Sequence, residues 1–390
     1  MKIVYLDYAS TTPVAPEVAN KMSQCLTLDG CFGNPASNTH YYGWQAKDKV
    51  DVAREQMADL IGADPREVIW TSGATESNNL AIKGVASVLR NKDKTKDHII
   101  TSKIEHKAVL DPCRYLEEKG FKVTYLEPDH NGCIRLEQVI EAITDRTILV
   151  SLMYVNNELG SINPVEAIGI YLRSKKILFH VDAAQAGARI AIDVHKQNID
   201  LLSLSSHKLY GPKGIGILYI RRKPKILLEP LIHGGGHERG FRSGTLPTHQ
   251  IVGMAEAARL VKENLKEDAR KMKQLRKRFL DKVLSLDGVS INGGNTVNGI
   301  MNLCFKGVDG EALMMALNQL AVSAGSACNS ATVEPSYVLQ TLGISAQDAH
   351  SSLRFSFGRY TTESDIDFAS DLIIKEVSKL RHLSPLWEEK

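Results

Sequence analysis

The segment Ser205–Lys208 holds two hydroxyls, an imidazole and an amine directly after the apolar run Leu201–Leu204. A lysine that is partly desolvated at the end of a strand has a lowered pKa, and it can form a Schiff base with a carbonyl compound. The alternative is a surface lysine before a turn. Taken alone, the segment favours neither interpretation of Lys208.

A second apolar run, Ile177–Val181, is followed by Asp182. This position corresponds to the carboxyl edge at which open α/β sheets bind ligands. A carboxylate there could pair with a protonated pyridine nitrogen, and Gln185 could reach a ring hydroxyl. Without Lys208, a helix N-cap role for Asp182 is at least as good an interpretation.

The segment Trp70–Asn79 places a turn rich in small and hydroxyl residues between a predicted strand and a predicted helix. Free backbone N–H groups and the helix dipole make such a turn a phosphate site, here around Ala74 and Thr75. It lacks the lysine of a Walker A loop. Helix capping is the alternative, but capping rarely needs so many consecutive small residues.

The segment Thr101–His106 ends a further predicted strand with an imidazole that could stack on a ring. The phosphate turn, His106, Asp182 and Lys208 together supply a phosphate cradle, an aromatic group, an acid and an amine. This combination predicts a pyridoxal phosphate (PLP) site far better than any one segment does.

Cys328 lies in a run of small residues, Ser323–Pro335, as a mobile loop presenting a nucleophile would require. Most free cysteines are buried and inert, but the small polar neighbours reverse that expectation for Cys328. The sequence has six cysteines and no C-x-x-C pair, so neither a disulfide framework nor a zinc site is predicted. Reduced thiols in the cytoplasm fit this pattern best.

The composition is ordinary for a soluble globular protein: 390 residues, 43% apolar, with 48 Lys and Arg against 45 Asp and Glu. The near balance of charge gives no reason to expect direct nucleic-acid binding. No apolar run approaches the roughly 18 residues of a membrane span, so no membrane partner is expected. Asp7 precedes any apolar run long enough for a signal peptide, which also favours a cytoplasmic protein.

Short apolar runs alternate with helical patterns from about residue 66 onward, which predicts an α/β fold with a mainly parallel sheet of seven strands. The predicted strands are Val68–Thr71, His98–Ser102, Lys122–Leu126, Thr147–Met153, Ile177–Val181, Leu201–Leu204 and Gly216–Ile220. The predicted helices between them lie at about 75–91, 106–119, 135–143 and 164–174.

Apolar residues at helical spacing among many charges predict a long linking helix over Leu260–Leu286. We therefore expect a large domain at 13–260 and a smaller α+β domain formed by 1–12 with 261–390. The smaller domain is predicted to contain strands Val289–Ile291, Gly299–Phe305 and Ser352–Phe357 and helices Gly310–Leu320 and Glu363–Leu380.

Motifs across nearly the whole chain resemble the class V, fold-type I PLP enzymes, specifically the cysteine desulfurases of the IscS/NifS type. The set is highly specific because it includes both the cofactor lysine and the long cysteine loop. The motifs are Tyr5–Pro13, Gly33–Ser37, Thr71–Asn79, Val155–Glu158, His180–Gln185, Ser206–Lys208, Arg242–Thr248, Gly325–Cys328 and Arg354–Arg359.

The resemblance implies a homodimer in which each of these motifs has a defined role. Lys208 would hold PLP covalently, His106 would stack on its ring and assist proton transfer, and Arg354 would clamp the substrate carboxylate. The remaining cofactor contacts implied are Asp182 to the pyridine nitrogen, Gln185 to the ring oxygen with Asn157 nearby, and Ala74, Thr75, Ser205 and His207 to the phosphate, with Thr245 supplied by the other subunit.

The implied reaction removes sulfur from L-cysteine, leaving L-alanine and a persulfide on Cys328. The implied acceptors are an iron–sulfur scaffold protein or sulfur carrier proteins, for iron–sulfur cluster assembly or tRNA thiolation. No resident metal is expected, only a transient iron–sulfur contact at Cys328. Housekeeping members that the chain resembles extend beyond the position of Lys390 with a tail that helps engage the scaffold, so two alternatives stay open: such a scaffold does not dock here, or it docks on another surface.

Three alternatives remain open from the sequence. A class V aminotransferase would share Lys208, Asp182 and the phosphate turn but would not need Cys328. A selenocysteine lyase would share the complete set. A non-catalytic subunit that kept only the fold is disfavoured because Lys208, His106, Cys328 and Arg354 are all present.

Overall fold

The computed structural model describes residues 3–324, 335–384 and 387. Its strands are β1 (Val4–Tyr5), β2 (Val68–Thr71), β3 (His98–Ser102), β4 (Lys122–Leu126), β5 (Thr147–Met153), β6 (Leu178–Asp182), β7 (Leu201–Ser205), β8 (Gly216–Ile220), β9 (Val289–Asn292), β10 (Ile300–Phe305), β11 (Leu320–Ala321) and β12 (Ser352–Ser356). Its helices are α1 (Pro16–Ser23), α2 (Tyr41–Ile61), α3 (Ala74–Lys92), α4 (Lys107–Glu118), α5 (Leu136–Ala142), α6 (Val165–Lys175), α7 (Thr248–Val283), α8 (Gly310–Ala316), α9 (Tyr337–Thr341), α10 (Ala346–His350) and α11 (Glu363–His382).

Seven strands form the central sheet in the order β2-β8-β7-β6-β5-β3-β4. Only β8 runs antiparallel to its neighbours, β2 and β7, and the other pairs are parallel. The predicted α/β class with a mainly parallel seven-stranded sheet is therefore confirmed. Parallel connections bring the carboxyl ends of β3, β5, β6 and β7 to one edge of the sheet, where ligands bind in such folds.

Both faces of the central sheet are covered, which explains why its strands are continuous apolar runs rather than alternating ones. Successive side chains of a strand point to opposite faces. Accordingly Ile69 and Leu149 belong to one buried apolar cluster, and Trp70 and Val150 belong to another. The sheet thus lies between two hydrophobic layers that hold its edge loops in place.

Helix α7 begins at Thr248, twelve residues before the predicted start at Leu260. Its first turns carry few charges and pack beside α1 and α2, with Ile251 and Met254 buried. They lack the charged pattern on which the prediction depended. Its later residues, such as Phe279, belong to a third apolar cluster. At 1.5 Å per residue α7 is about 54 Å long and connects this cluster with the one that contains Trp70.

The third apolar cluster contains Leu6, Phe279, Phe305 and Phe355. It is covered by a three-stranded antiparallel sheet, β9-β10-β12. The short strand β1 pairs in parallel with β11, so the first residues of the chain pack beside its last third. The predicted helix Gly310–Leu320 ends at Ala316, because Leu320 pairs with Val4 in this strand pair. We propose that residues 1–12 and 261–390 form the small domain, as this packing supports.

Within the described residues, no helix combines the length and the apolar character needed to cross a membrane.

Candidate active site

A cavity of about 540 Å³ opens at the edge of the central sheet where β3, β5, β6 and β7 end. Of the predicted site residues, Thr245 is exposed and does not line the cavity, and Cys328 lies outside the described residues. The other predicted site residues all line it: Ala74, Thr75, His106, Asn157, Asp182, Gln185, Ser205, His207, Lys208 and Arg354.

The start of α3 forms one end of the cavity. Its N-cap, Gly73, has φ 153° and caps no N–H group with a side chain, so the backbone donors of the first turn face outward. A Cβ atom added to Gly216 of β8 would lie 2.6 Å from the Gly73 Cα, so a side chain there would push the turn away. The close approach holds Ala74 and Thr75 beside Ser205 at this end of the cavity.

His207 completes this end. Burial, with Lys208 and Lys213 nearby, lowers its pKa to about 4, so the imidazole is neutral at neutral pH. Its Nδ1 lies 3.1 Å from the Thr11 Oγ1. Lys213 also lines the cavity and was not predicted, although it follows Pro212 in the same glycine-rich turn as Lys208. The end therefore offers backbone N–H groups, hydroxyls and a cation, which suits a phosphate.

Asp182 lies at the opposite end of the cavity, where β6 ends. Its Oδ2 accepts a hydrogen bond of 2.7 Å from the Asn78 Nδ2, and its Oδ1 accepts one of 3.0 Å from the Ala184 N–H. Among the described ion pairs it has no cationic partner, although it is only 5% exposed. A buried carboxylate facing a cavity favours a cationic N–H in that cavity, as a protonated pyridine provides.

Other buried polar atoms around the cavity lack a hydrogen-bond partner among the described residues: Asn157 Oδ1, Gln185 Oε1 and Arg354 Nε. Unsatisfied buried polar atoms are costly, so their gathering at one cavity indicates a polar ligand. The Gln185 Nε2 is already used, since it donates to the Ala9 carbonyl. Its free Oε1 is an acceptor, which fits the ring hydroxyl predicted for this position. The residues present therefore fit PLP.

Lys208 follows β7 through the short turn Ser206–Lys208. Its Nζ donates to the carbonyl oxygens of Ala9 and Ser10, in the segment that follows β1. These contacts hold the amine at the floor of the cavity. The amino-terminal segment also contacts His207 through Thr11 and Thr12, so it supports both predicted residues of this turn.

His106 is the N-cap of α4, where its Nδ1 accepts a hydrogen bond of 3.0 Å from the Ala108 N–H. Desolvation lowers the pKa of His106, with Asp182 opposing and Lys208 adding to the effect. The neutral ring therefore has its proton on Nε2. Its accessible surface faces the cavity, as the predicted stacking and proton transfer require.

Arg354 extends from β12, and its guanidinium is held by two contacts. Its Nη2 donates to the Asp7 Oδ1 at 2.7 Å and its Nη1 donates to the Asn157 carbonyl at 2.9 Å. Asp7 was not predicted as a site residue, although it lies in the motif Tyr5–Pro13. Because an ion pair and a carbonyl fix its orientation, the guanidinium is arranged in advance for a carboxylate.

Two buried carboxyl groups lie behind the cavity and were also not predicted. Glu105 accepts from the Met153 N–H at 2.9 Å, and burial raises its pKa well above the usual value. Burial likewise raises the pKa of Glu158 to about 7, while Ser336 and Arg354 oppose the shift. Ser336 donates to Glu158, and the Tyr337 hydroxyl donates to the Glu105 carbonyl at 2.6 Å. Glu105 and Glu158 thus anchor the chain directly after Ser323–Pro335, the run that contains Cys328.

In the described part of the chain, no three His, Cys, Asp or Glu side chains come together to form a metal site.

Comparison with known proteins identifies the family. The family model for aminotransferase class-V matches residues 4–368. Proteins named "Cysteine desulfurase IscS" from Vibrio vulnificus (strain YJ016) and Aeromonas hydrophila subsp. hydrophila are each 59% identical over 387 residues, covering 99% of this chain and 95% of theirs. The sequence-based resemblance is confirmed.

Solved structures show the same similarity. One described as "NIFS-LIKE PROTEIN" has a TM-score of 0.90 at 36% identity and covers 97% of this chain and 100% of its own. Another, "SspA in complex with cysteine", has a TM-score of 0.82 at 42% identity and covers 93% and 100%. The chain therefore belongs to the class V aminotransferase family, within its branch of IscS-type cysteine desulfurases.

Proposed function

We propose that this chain is a PLP-dependent cysteine desulfurase, which converts L-cysteine to L-alanine and holds the sulfur as a persulfide on Cys328. The observation that carries the proposal is one cavity lined by an amine (Lys208), a buried carboxylate without a cationic partner (Asp182) and an oriented guanidinium (Arg354). Relatives at 59% identity carry the same name for their activity, which selects it over aminotransfer and over selenocysteine lysis.

Bound PLP supplies a carbonyl that joins amines and a protonated ring that withdraws electrons from the substrate. The residues of the chain divide the remaining work. Lys208 would hold the cofactor covalently, while Arg354 would bind the substrate carboxylate in a fixed orientation. His106 moves a proton through its Nε2, because its Nδ1 is engaged by the helix N-terminus.

The sulfur step uses the Cys328 thiolate as the nucleophile. The thiolate attacks the sulfur of cysteine, a sulfur–sulfur bond forms, and the carbon–sulfur bond breaks. The electron pair of the broken bond passes to the carbon skeleton, which takes up a proton to become alanine. Cysteine and one thiol are thus converted to alanine and one persulfide, and no external oxidant is needed.

A single assay tests this function. Purified holoenzyme given L-cysteine without reductant should form alanine and enzyme-bound persulfide in a 1:1 ratio in the first turnover. Formation of 3-mercaptopyruvate, with the amino group transferred to an oxo-acid acceptor, would instead indicate aminotransfer. A far higher kcat/KM with selenocysteine, together with no persulfide, would indicate a selenocysteine lyase.

We propose that the active form is a homodimer, in which Thr245 contacts the phosphate in the partner subunit's site. Three aromatic side chains at the start of α2, Tyr41, Tyr42 and Trp44, are 44–62% exposed, which is unusual for large apolar groups. The same helix packs through Ala46 near Val252 of α7, a few residues after Thr245. We expect sedimentation equilibrium to give twice the chain mass, and a monomer with full activity would contradict the proposal.

We also propose that the persulfide passes to an iron–sulfur scaffold or a sulfur carrier protein in the cytoplasm. Cys25, Cys31, Cys113, Cys133 and Cys304 are all free, as in a reducing compartment. Transfer of ³⁵S from the loaded enzyme to a purified scaffold or carrier, followed by mass spectrometry of each protein, tests this step. Retention of the label on Cys328 with every acceptor would contradict it.

The ion pair between Asp7 and Arg354 leads to a prediction about substrate affinity. In D7N the guanidinium loses its charged partner but keeps the Asn157 carbonyl. We therefore expect the KM for cysteine to rise about 10- to 100-fold while kcat changes much less. Steady-state kinetics will show this, with D51N as the control because Asp51 pairs with Lys47 on the surface. Equal KM values for D7N and the wild type would contradict the role.

The buried Glu158 predicts a pH dependence of stability. Because its pKa is raised from 4.5 to about 7, its contribution is fully present below about pH 4.5 and is lost as the pH rises to about 7. Relative to E158Q, the wild type should lose up to about 3 kcal/mol of unfolding free energy across this range. Urea unfolding at several pH values measures this. E127Q, at an exposed site, should track the wild type.

A further inference from the structure

A second cavity of about 200 Å³ lies on the other side of Lys208 from the candidate active site. It is enclosed by the turn after β6, by α7 and by the loops before β10 and after β12. Its lining includes Val297 from the apolar cluster that contains Trp70 and Met272 from the one that contains Phe279. The polar side chains that matter for its chemistry are Arg189, Lys208, Tyr210, Asp268, Asn298 and Arg359, of which the Lys208 amine is engaged by the Ala9 and Ser10 carbonyls.

The charges around this cavity do not balance. Asp268 is paired with Arg359, with an oxygen–nitrogen distance of 2.7 Å. Arg189 has no carboxylate partner among the described residues, and its recorded hydrogen bond runs from its Nη1 to the Gln185 carbonyl at 3.0 Å. Burial lowers the pKa of Arg189 to about 10, and Arg354 adds to the effect. Arg189 thus remains a cation without a counterion.

Arg189 is only partly exposed, and a guanidinium with restricted access to water is usually paired with an anion. A backbone carbonyl satisfies only one of the five guanidinium N–H donors. The remaining donors are available to the cavity, which Arg189 lines. One unpaired positive charge calls for one negative charge of small size.

We propose that this second cavity binds a small monocarboxylate through Arg189. A planar carboxylate matches the fork of the guanidinium, and the hydroxyl of Tyr210 and the amide of Asn298 add neutral polar contacts beside it. The volume admits an anion of acetate or alanine size. The ligand could be the alanine product or another small carboxylate, and both present the same chemistry to Arg189.

The test uses the PLP-loaded holoenzyme, because filling the phosphate site removes one competing anion site. Its melting temperature is followed while sodium acetate, or in a second series L-alanine, replaces sodium chloride at constant ionic strength. Ligand binding to the folded state raises the melting temperature along a saturating curve. The variants are R189M and R189K, and R354K serves to distinguish the substrate-carboxylate site.

We expect a saturating rise with acetate for the wild type and for R354K, and a half-saturation point shifted about tenfold or more in R189M. R189K keeps the positive charge but not the planar guanidinium, so its half-saturation point for acetate should fall between those of the wild type and R189M. If alanine raises the melting temperature at a lower concentration than acetate does, the site selects the product. Three results would overturn the proposal: no rise in the melting temperature of the wild type with acetate, the same rise in R189M as in the wild type, or a rise that is lost in R354K alone. The melting temperature of R189M in sodium chloride alone shows whether the variant is folded.

Discussion

Replacement of Lys208 by alanine is expected to stop turnover and to abolish covalent attachment of the cofactor. Lys208 is the amine at the floor of the cavity, held by the Ala9 and Ser10 carbonyls, and no other amine is proposed for its role. Since it both holds the cofactor and exchanges protons near the substrate, kcat should fall by about 10²–10⁴-fold or more. Borohydride reduction followed by peptide mass spectrometry should label Lys208 in the wild type and nothing in K208A.

Two further variants make the Lys208 experiment decisive. K208R keeps the positive charge and most of the volume but cannot join a carbonyl, so it should resemble K208A. K213A removes the other lysine that lines the cavity and should keep the label on Lys208 while binding PLP more weakly. Label that moves to Lys213, or wild-type turnover in K208A, would show that Lys208 has another role.

Replacement of Cys328 by alanine is expected to abolish alanine formation from cysteine while PLP remains bound. The other sulfhydryl groups cannot substitute for it, because Cys25, Cys31, Cys113, Cys133 and Cys304 are buried and desolvation raises the pKa of each. A thiol that stays protonated and enclosed is a poor nucleophile. The visible spectrum should still respond to cysteine, since binding through Lys208 and Arg354 does not need the thiol.

C31A is the matched control for C328A, because Cys31 also lies in a loop but has no role in the proposed reaction. It should form alanine and persulfide at the wild-type rate. C328S should fail as C328A does, since a serine hydroxyl is not ionised at neutral pH. ³⁵S-persulfide recovered from C328A after incubation with labelled cysteine would refute the assignment of the nucleophile.

Much of the fold followed from local pattern. Five of the seven predicted central strands have the observed bounds, because each is a short apolar run bounded by turn residues. Strand β6 is shifted by one residue at both ends, and β7 is longer by one residue at its carboxyl end. The start of α7 could not be found in this way. Most of its charges follow the buried segment beside α1 and α2, so the pattern marked the exposed part of the helix and missed the buried part.

The cavity-lining residues could be predicted where they end a strand, as Asp182 does, or follow one closely, as His106 does. Asp7, Glu105 and Glu158 carried no such signal. Asp7 matters because it reaches Arg354, 347 positions away, and no local pattern encodes that pairing. Glu105 and Glu158 look like ordinary surface acids in the sequence. Only the packing around them shows that they are enclosed.

The pairing of the amino-terminal segment with β12 has a consequence for folding during synthesis of the chain. The segment that holds the Lys208 amine is translated first, yet Asp7 needs Arg354 and the Ala9 N–H needs the Ser356 hydroxyl, at 2.8 Å. Contacts this distant in sequence must wait for loop closure. Most of the central sheet can form on the ribosome, but the cavity acquires its carboxylate clamp only when β12 emerges. A nascent chain stalled before that strand would bind cofactor without being able to orient cysteine.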